Sequence, residues 1–289
     1  MSGEFRFLAD NARRLGLDTV PPVERITIPY RRTHLSALRW GEGKPEFVFV
    51  HGAALNGHTW DSTLLALGRP SIAIDLPGHG DSPWREDRNY SPFLLAEEVA
   101  DALEALGLSE FILVGHSLGG LAATGALERL ADRVRGLAIV DISPGRQLGR
   151  NNTAVQRFLD GPRSFATVDD VVAHTIATGV GKDRASVING IELNTRIRAD
   201  GRIIFKHHLG SIPPDERLPA PDVTPLWGPL EAFTGALALA YGTDGVLTED
   251  EVREFADRLP LAERWRFEAG HNVHRDQPAA LAEALSQLG

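Results

Sequence analysis

The residues best placed to do chemistry in this sequence are a serine in a glycine-rich turn, two aspartates that end apolar runs and a histidine that follows a glycine. Ser117 lies in the Gly-His-Ser-Leu-Gly motif at 115–119, directly after the apolar run 111–114. A serine hydroxyl is a weak nucleophile that needs an adjacent base and donors for a developing oxyanion. A tight turn from a strand into a helix exposes the hydroxyl, and the flanking glycines leave room for neighbouring backbone. The pattern therefore predicts that Ser117 is a nucleophile.

The elements that must position this serine alternate between strands and helices. Short apolar runs at 47–50, 71–74 and 137–140 are typical of strands buried on both faces of a parallel sheet. Ser91 with Pro92 predicts the start of a helix, and Thr248 with Glu251 forms a capping-box pattern. The alternation predicts an α/β fold, a mostly parallel sheet with helices on both faces and reactive groups at the carboxyl ends of its strands.

The alternation is interrupted between two parts of the predicted core, residues 1–143 and 234–289. Residues 1–22 read as a helical extension that Pro21-Pro22 closes. Residues 144–233, here called the lid, are predicted to be mainly helical (153–159 and 169–178), with a hairpin at Asp200-Gly201. Its aromatic residues either line a hydrophobic acyl pocket or form a small core of the lid itself: Phe158, Phe165, Phe205, Trp227 and Phe233.

Composition narrows the class of protein and its partners. The 289 residues carry a net charge of −9 without a block of Lys or Arg, so nucleic acid and anionic membranes are not expected partners. The absence of cysteine excludes disulfides, thiolate metal sites and a cysteine nucleophile. The charged first 18 residues do not have the pattern of a signal peptide, which favours the cytoplasm. We expect no cofactor and no metal, a small-molecule substrate, and a homodimer as an open alternative to a monomer.

Five motifs in order resemble the α/β-hydrolase superfamily, and in particular its esterase-like members with a serine nucleophile. They are His51-Gly52, the D-x-P-G-x-G-x-S run 75–82, the serine motif 115–119, a strand ending at Asp244, and Gly270-His271. The resemblance covers nearly the whole chain except residues 1–22 and the lid. It implies an α/β-hydrolase fold in which the lid covers the active site, and the chain order Ser…Asp…His agrees with that fold.

The resemblance also implies a role for each candidate. His271 is the expected base, with His274 as its rival, and the backbone amides of Leu118 and Ala53 are the expected oxyanion hole. His51 and Asp75 are expected to brace loops rather than to react.

The carboxylate that orients the base can be either of two aspartates that end neighbouring strands. Asp244 lies in a Gly-Thr-Asp-Gly turn that could lift its side chain toward the histidine, and it matches the commoner family position. Asp141 is followed by a segment leading into the lid, and some superfamily members use an acid there. We predict Asp244, with Asp141 as the alternative.

A serine rather than an aspartate nucleophile points to attack on an acyl carbon. The predicted function is hydrolysis of a small or medium carboxylic ester, lactone or thioester through an acyl-enzyme. The alternatives are a C–C bond hydrolase acting on a ketone from aromatic ring cleavage, a perhydrolase, and a ligand-binding receptor on the same fold.

Overall fold

A computed structural model describes residues 3–148 and 154–288, and its centre is an eight-stranded sheet of order β1-β2-β4-β3-β5-β6-β9-β10. The strands β2 and β1, and likewise β2 and β4, are antiparallel, whereas the other neighbours in this sheet are parallel. The predicted α/β arrangement is confirmed. The strands are β1 Val23–Tyr30, β2 Thr33–Trp40, β3 Phe47–Val50, β4 Ser71–Ile74, β5 Phe111–His116, β6 Val134–Val140, β7 Thr195–Ile197, β8 Ile203–Phe205, β9 Ala236–Asp244 and β10 Glu263–Gly270.

Helices cover both faces of the sheet and build the lid. The α-helices are α1 Leu8–Arg14, α2 Asp61–Leu67, α3 Pro92–Ala105, α4 Leu118–Leu130, α5 Ala154–Leu159, α6 Val168–Ala177, α7 Arg184–Leu193, α8 Trp227–Ala232, α9 Glu249–Arg258, α10 Val273–Asp276 and α11 Pro278–Gln287. The predicted caps of α3 and α9 are confirmed, since the Ser91 and Thr248 side chains accept from Leu94 and Glu251 amides. The predicted helix at 153–159 begins at Thr153, which lies outside the described residues.

The N-terminal extension is less helical than predicted. A single 3₁₀ turn at Gly3–Phe5 precedes α1, which ends at Arg14, and Gly16 has a positive φ of 72° that a continuing helix could not accommodate. Leu8 and Ala12 on α1 are buried against the α2 face of the core. None of the helices in residues 3–148 and 154–288 has both the length and the apolar character of a membrane span.

The core lies on both sides of the central strands. Strands β3 and β5 are buried along their whole length, with side chains that alternate between two apolar layers. One layer packs against α3 and α4, and the other packs against α2 and α11. Because both faces are covered, polar groups of these strands can reach a ligand only at the strand ends.

The lid has an apolar cluster of its own, built from α5–α7 and the β7–β8 hairpin. Phe158, Phe165 and Phe205 belong to this cluster. The other two aromatic residues of the predicted acyl pocket do not. Trp227 is buried in the main core, with its ring 6.0 Å from that of Phe255, and Phe233 packs against the same core. Helix α8 packs on α4, so the end of the lid sequence completes the main core instead of covering the site.

Candidate active site

Ser117 occupies the turn between β5 and α4 in a backbone conformation that is rare for a residue with a side chain. Its φ of 51° and ψ of −121° are held by a hydrogen bond from its amide to the Val140 carbonyl, 3.0 Å long. A Cβ at Gly115 would lie 2.5 Å from the Gly119 oxygen, and one at Gly119 would lie 2.4 Å from the His51 oxygen. Both glycines of the motif are therefore required by close backbone contacts, as the sequence pattern suggests.

His271 follows β10 directly, and its Nδ1 lies 2.8 Å from Oδ2 of Asp141. Asp141 is fully buried, and its carboxylate also accepts hydrogen bonds from the amides of Val246 at 2.8 Å and Gly242 at 3.2 Å. These donors stabilise an ionised carboxylate in a fixed orientation. With Nδ1–H donated to Asp141, Nε2 of His271 is the nitrogen free to accept a proton.

The structure thus brings Asp141, not Asp244, to His271, which reverses the ranking predicted from the sequence. Asp141 has a positive φ of 51° immediately after β6, and its carboxylate turns toward the 242–246 segment. The tight turn that was expected to lift Asp244 instead wraps around Asp141: a Cβ at Gly245 would lie 2.1 Å from Asp141 Oδ1. The Asp244 side chain is exposed. Both aspartates end strands, so position alone did not show which one contacts His271. The packing of the 242–246 turn on Asp141 accounts for the difference.

The two amides predicted as oxyanion donors come from two segments next to the serine, helix α4 and the loop after β3. Leu118 is the first residue of α4, so its N–H belongs to the unpaired first turn of a helix. Ala53 lies beyond β3 on a loop that passes next to the nucleophile, since a Cβ on Gly52 would lie 3.1 Å from the Ser117 Cβ. Within the described ranges, neither amide donates a hydrogen bond to a protein acceptor. Both are therefore available to an oxygen that carries negative charge.

His51 and Asp75 brace this loop, as expected. Nδ1–H of His51 donates to the Gly52 carbonyl at 2.8 Å, and Nε2 accepts from the Leu76 amide at 3.0 Å. Burial lowers the pKa of His51 to about 4, so its ring is neutral at physiological pH. The Asp75 carboxylate accepts from the Gly57 amide at 2.7 Å and pairs with Arg25 at 2.8 Å.

The rival base, His274, has a different environment. It is fully buried, its Nε2 lies 2.7 Å from Oγ1 of Thr59, and its ring packs 4.7 Å from that of Trp60. His116, next to the nucleophile, is also buried, and its Nε2–H donates to the His271 carbonyl at 3.0 Å. Burial holds the pKa of both rings well below the ordinary value. His116 therefore supports the backbone of the histidine loop and carries no charge.

A cavity of about 160 Å³ lies between the strand ends and the lid. Ser117, His271 and Ala53 line its core side. The lid contributes mainly apolar side chains, and polar groups come from both sides. The lid residues that line it include Phe158, Val187, Ile191, Asn194 and Phe205, and further polar lining comes from Asn56, Thr59, Asn272 and Arg275. Of the lid aromatics predicted to line an acyl pocket, Phe158 and Phe205 do so.

No local sequence pattern marks the polar lining residues Asn56, Asn194 and Arg275, because they come from three different parts of the chain and meet only in the folded structure. For metals, the residues that the structure describes contain no group of three or more His, Asp or Glu side chains arranged to hold an ion.

Comparisons with known proteins agree with this fold. A family model described as alpha/beta hydrolase family matches residues 47–284. An esterase from Mycobacterium tuberculosis, Rv0045c, is 35% identical over 98% of this chain and 94% of its own length. A solved structure of that esterase superposes with a TM-score of 0.83, covering 98% of this chain and 97% of the other. The sn-1-specific diacylglycerol lipase ABHD11 of Mus musculus is 28% identical over 84% of this chain and 80% of its own length.

Proposed function

Because this chain belongs to the α/β-hydrolase family and is a hydrolase of the carboxylic-ester type, we propose that it cleaves a small or medium carboxylic ester through an acyl-enzyme. The proposed triad is Ser117, His271 and Asp141, and the proposed oxyanion donors are the amides of Leu118 and Ala53. Lactones and thioesters present the same acyl carbon and belong to the same proposal. The substrate is a small molecule that enters the cavity between the lid and the strand ends.

In the proposed reaction, Oγ of Ser117 attacks the acyl carbon while Nε2 of His271 accepts the hydroxyl proton. Asp141 holds Nδ1–H and stabilises the imidazolium that forms. The negative charge on the tetrahedral intermediate lies on the former carbonyl oxygen, where the two amides can donate to it. His271 then gives the proton to the departing alcohol. A water molecule, deprotonated in turn by His271, attacks the acyl carbon; the bond to Oγ breaks, His271 returns the proton to Oγ of Ser117, and the carboxylic acid leaves.

The observation that carries this proposal is the 2.8 Å contact between His271 and Asp141, a buried carboxylate that also accepts from two backbone amides. His271 lines the same cavity as Ser117. An orienting carboxylate of this kind fixes the tautomer that general-base catalysis needs. In the described part of the chain no hydrogen bond joins the Ser117 hydroxyl to His271. Such contacts commonly tighten only when substrate is bound.

The substrate size follows from the lid side of the cavity. Aliphatic and aromatic side chains there, Phe158, Val187, Ile191 and Phe205, offer an apolar surface for an acyl chain. Each methylene buried on such a surface contributes about 0.8 kcal/mol. We therefore expect kcat/KM to rise over the first few acyl carbons and to fall once the roughly 160 Å³ are filled.

A labelled fluorophosphonate combined with ester turnover tests the function. The wild-type protein should be labelled at Ser117, identified by peptide mass spectrometry, and should turn over p-nitrophenyl esters repeatedly. Ser117→Ala should fold, resist labelling and retain only the residual acceleration, on the order of 10³–10⁴ over water, that binding and the oxyanion hole supply. Labelling without repeated turnover would favour a receptor on this fold. Wild-type turnover by Ser117→Ala would show that the nucleophile is another residue.

A further inference from the structure

The loop that carries the Ala53 amide is attached to the lid as well as to the core. Asn194 lies directly after α7, and its Nδ2 donates to the Ala54 carbonyl at 2.7 Å. In the opposite direction, Nδ2 of Asn56 donates to the Leu193 carbonyl at 3.2 Å and to Oδ1 of Asn194 at 3.3 Å. Two asparagine amides thus join the end of a lid helix to the residues that follow the proposed oxyanion donor.

Ala54 itself has a backbone conformation that needs such support. Its φ of 63° lies in the left-handed region, which costs energy for a residue with a Cβ. Ala54 is only 6% exposed and packs in the apolar cluster of the lid, together with Phe158 and Phe205. Strained conformations persist where surrounding contacts determine them. At Ala54, both the carbonyl hydrogen bond and the side-chain packing come from the lid.

The core holds the adjacent part of the same loop. The Asp75 carboxylate accepts from the Gly57 amide at 2.7 Å, and Oδ1 of Asn56 accepts from the His58 amide at 3.0 Å. These contacts begin two residues beyond Ala54. On the other side of the Ala53 amide, Nε2 of His51 accepts from the Leu76 amide at 3.0 Å, so this amide lies between a core anchor at His51 and the lid anchor at Ala54.

We propose that Asn194 is a positioning residue for the oxyanion hole, so that the seating of the lid determines where the Ala53 amide points. The proposal rests on the proposed esterase function and deepens it. The lid then does more than bind the acyl chain, because it also completes the donor pair that stabilises the transition state. An interaction made only with the developing oxyanion affects kcat. Binding of the acyl chain that is equally strong in the ground and transition states affects KM.

The decisive variant is Asn194→Asp, which keeps the size of the side chain and replaces the Nδ2 donor by an oxygen that repels the Ala54 carbonyl. We expect kcat for p-nitrophenyl butyrate to fall by about 10- to 100-fold, because a displaced donor costs up to about 100-fold, less than the roughly 10²–10³-fold loss caused by removing one. KM should change little. The matched control is Asn189→Asp on the same helix, outside the cavity lining, which should retain wild-type kcat.

Asn56→Asp is a second variant in case Asn194→Asp does not fold. It keeps an oxygen to accept from the His58 amide and loses only the donor toward the lid. It should lower kcat by less than Asn194→Asp does, because the hydrogen bond from Asn194 to the Ala54 carbonyl remains.

Hydrogen exchange of the peptide spanning residues 51–58 gives a readout that does not depend on catalysis. Exchange should accelerate in Asn194→Asp and stay at the wild-type rate in Asn189→Asp. The inference is overturned if kcat or exchange is unchanged in Asn194→Asp, or if KM alone rises, which would make Asn194 a substrate contact. If the wild-type protein did not turn over esters, the proposed function would fail, and the exchange comparison would still decide whether Asn194 holds the loop.

Discussion

The two walls of the cavity are built in different ways. On the core wall, the reactive groups stand at the ends of buried strands, and Ser117 and Asp141 both have positive φ values of 51°. Their conformations are fixed by backbone hydrogen bonds and by glycines that admit no Cβ. On the lid wall, the lining consists of side chains from short helices and a hairpin, packed in a small cluster of their own. In the proposed function, the reaction therefore depends on backbone geometry, whereas substrate selection depends on side chains of the lid.

This difference implies that substitutions on the two walls should change different kinetic parameters. Changes on the core wall should lower kcat for every ester, because the same attacking and stabilising groups act on all of them. Changes among the apolar side chains of the lid should reorder the preferred acyl chains. Asn194 is the exception that we propose, because this lid residue donates to the loop of the core that carries the Ala53 amide.

Phe158→Ala should produce the largest change in specificity among the lid variants. Removing this ring, which lines the cavity, enlarges the space for the acyl group. We expect kcat/KM for the best wild-type p-nitrophenyl ester to fall by roughly tenfold. The lost ring would leave one or two methylenes of the acyl chain without an apolar contact, and each contributes about 0.8 kcal/mol. The preferred chain should become longer. A series from acetate to decanoate measures both effects.

Phe165→Ala is the matched control for this change. Phe165 belongs to the same lid cluster and is as well buried, 5% exposed against 8% for Phe158, but it does not line the cavity. Both variants should lose stability through the cavity they create. Only Phe158→Ala should shift the preferred chain length. If both variants shifted it equally, the lid would act on selection through its general packing and not through the lining ring.

A smaller effect, on stability, is expected where the N-terminal segment contacts the core near His58. His58 lies 3.0 Å from Oδ2 of Asp61 and 3.2 Å from Oε2 of Glu4, which also pairs with Arg25 at 2.6 Å. Although burial lowers it, the charge of Asp61 and the hydrogen bonds to Asp61 and Glu4 raise the pKa of His58 to about 9. Although partial burial raises it, the hydrogen bonds from His58 and Arg25 lower the pKa of Glu4 to about 2.

These two shifts define a pH window for stability. The contribution of protonated His58 is complete below the unfolded-state value of about 6.5 and is lost as pH rises through 9. The contribution of ionised Glu4 is present above its ordinary value of 4.5 and is lost as pH falls through 2. The contributions of His58 and Glu4 are therefore both complete near pH 5–6, and that of His58 is lost toward pH 9. Burial raises the pKa of Asp61, so the ionisation of Asp61 opposes these contributions.

His58→Gln should therefore lower Tm by a few degrees at pH 6 and by less at pH 9, measured by differential scanning calorimetry. His34→Gln, at an exposed position, serves as the control and should leave Tm unchanged at both values. A deficit for His58→Gln that was equal at pH 6 and pH 9 would mean that its contribution comes from packing and not from charge.

Local patterns in the sequence were sufficient for the sheet, and they indicated Ser117 and His271, which the structure places on one cavity. The strands at 47–50 and 71–74 and the caps at Ser91 and Thr248 agree with the predictions, because a buried apolar run or a capping side chain acts within a few residues. Helices α2 and α7 were missed. No side-chain cap hydrogen bond marks the start of α2, and α7 mixes polar, glycine and apolar residues.

The choice between Asp141 and Asp244 could not be made from the sequence, because it depends on how the 242–246 turn packs against a residue a hundred positions earlier. The same applies to Asn194, whose partner Ala54 lies 140 residues away. In both cases the deciding contact is between segments whose relative placement only the folded chain defines. Motifs indicated Ser117 as the proposed nucleophile, and tertiary packing determines which carboxylate contacts His271.

The measurement that tests the proposed triad most directly is kcat of Asp141→Asn and Asp244→Asn on one p-nitrophenyl ester, with folding checked by circular dichroism. Losing the orienting carboxylate leaves the imidazole in the wrong tautomer, so we predict that Asp141→Asn lowers kcat on the order of 10⁴-fold. Asp244→Asn, which changes an exposed side chain, should keep nearly wild-type turnover. A collapse in Asp244→Asn with turnover preserved in Asp141→Asn would contradict the assignment of the triad.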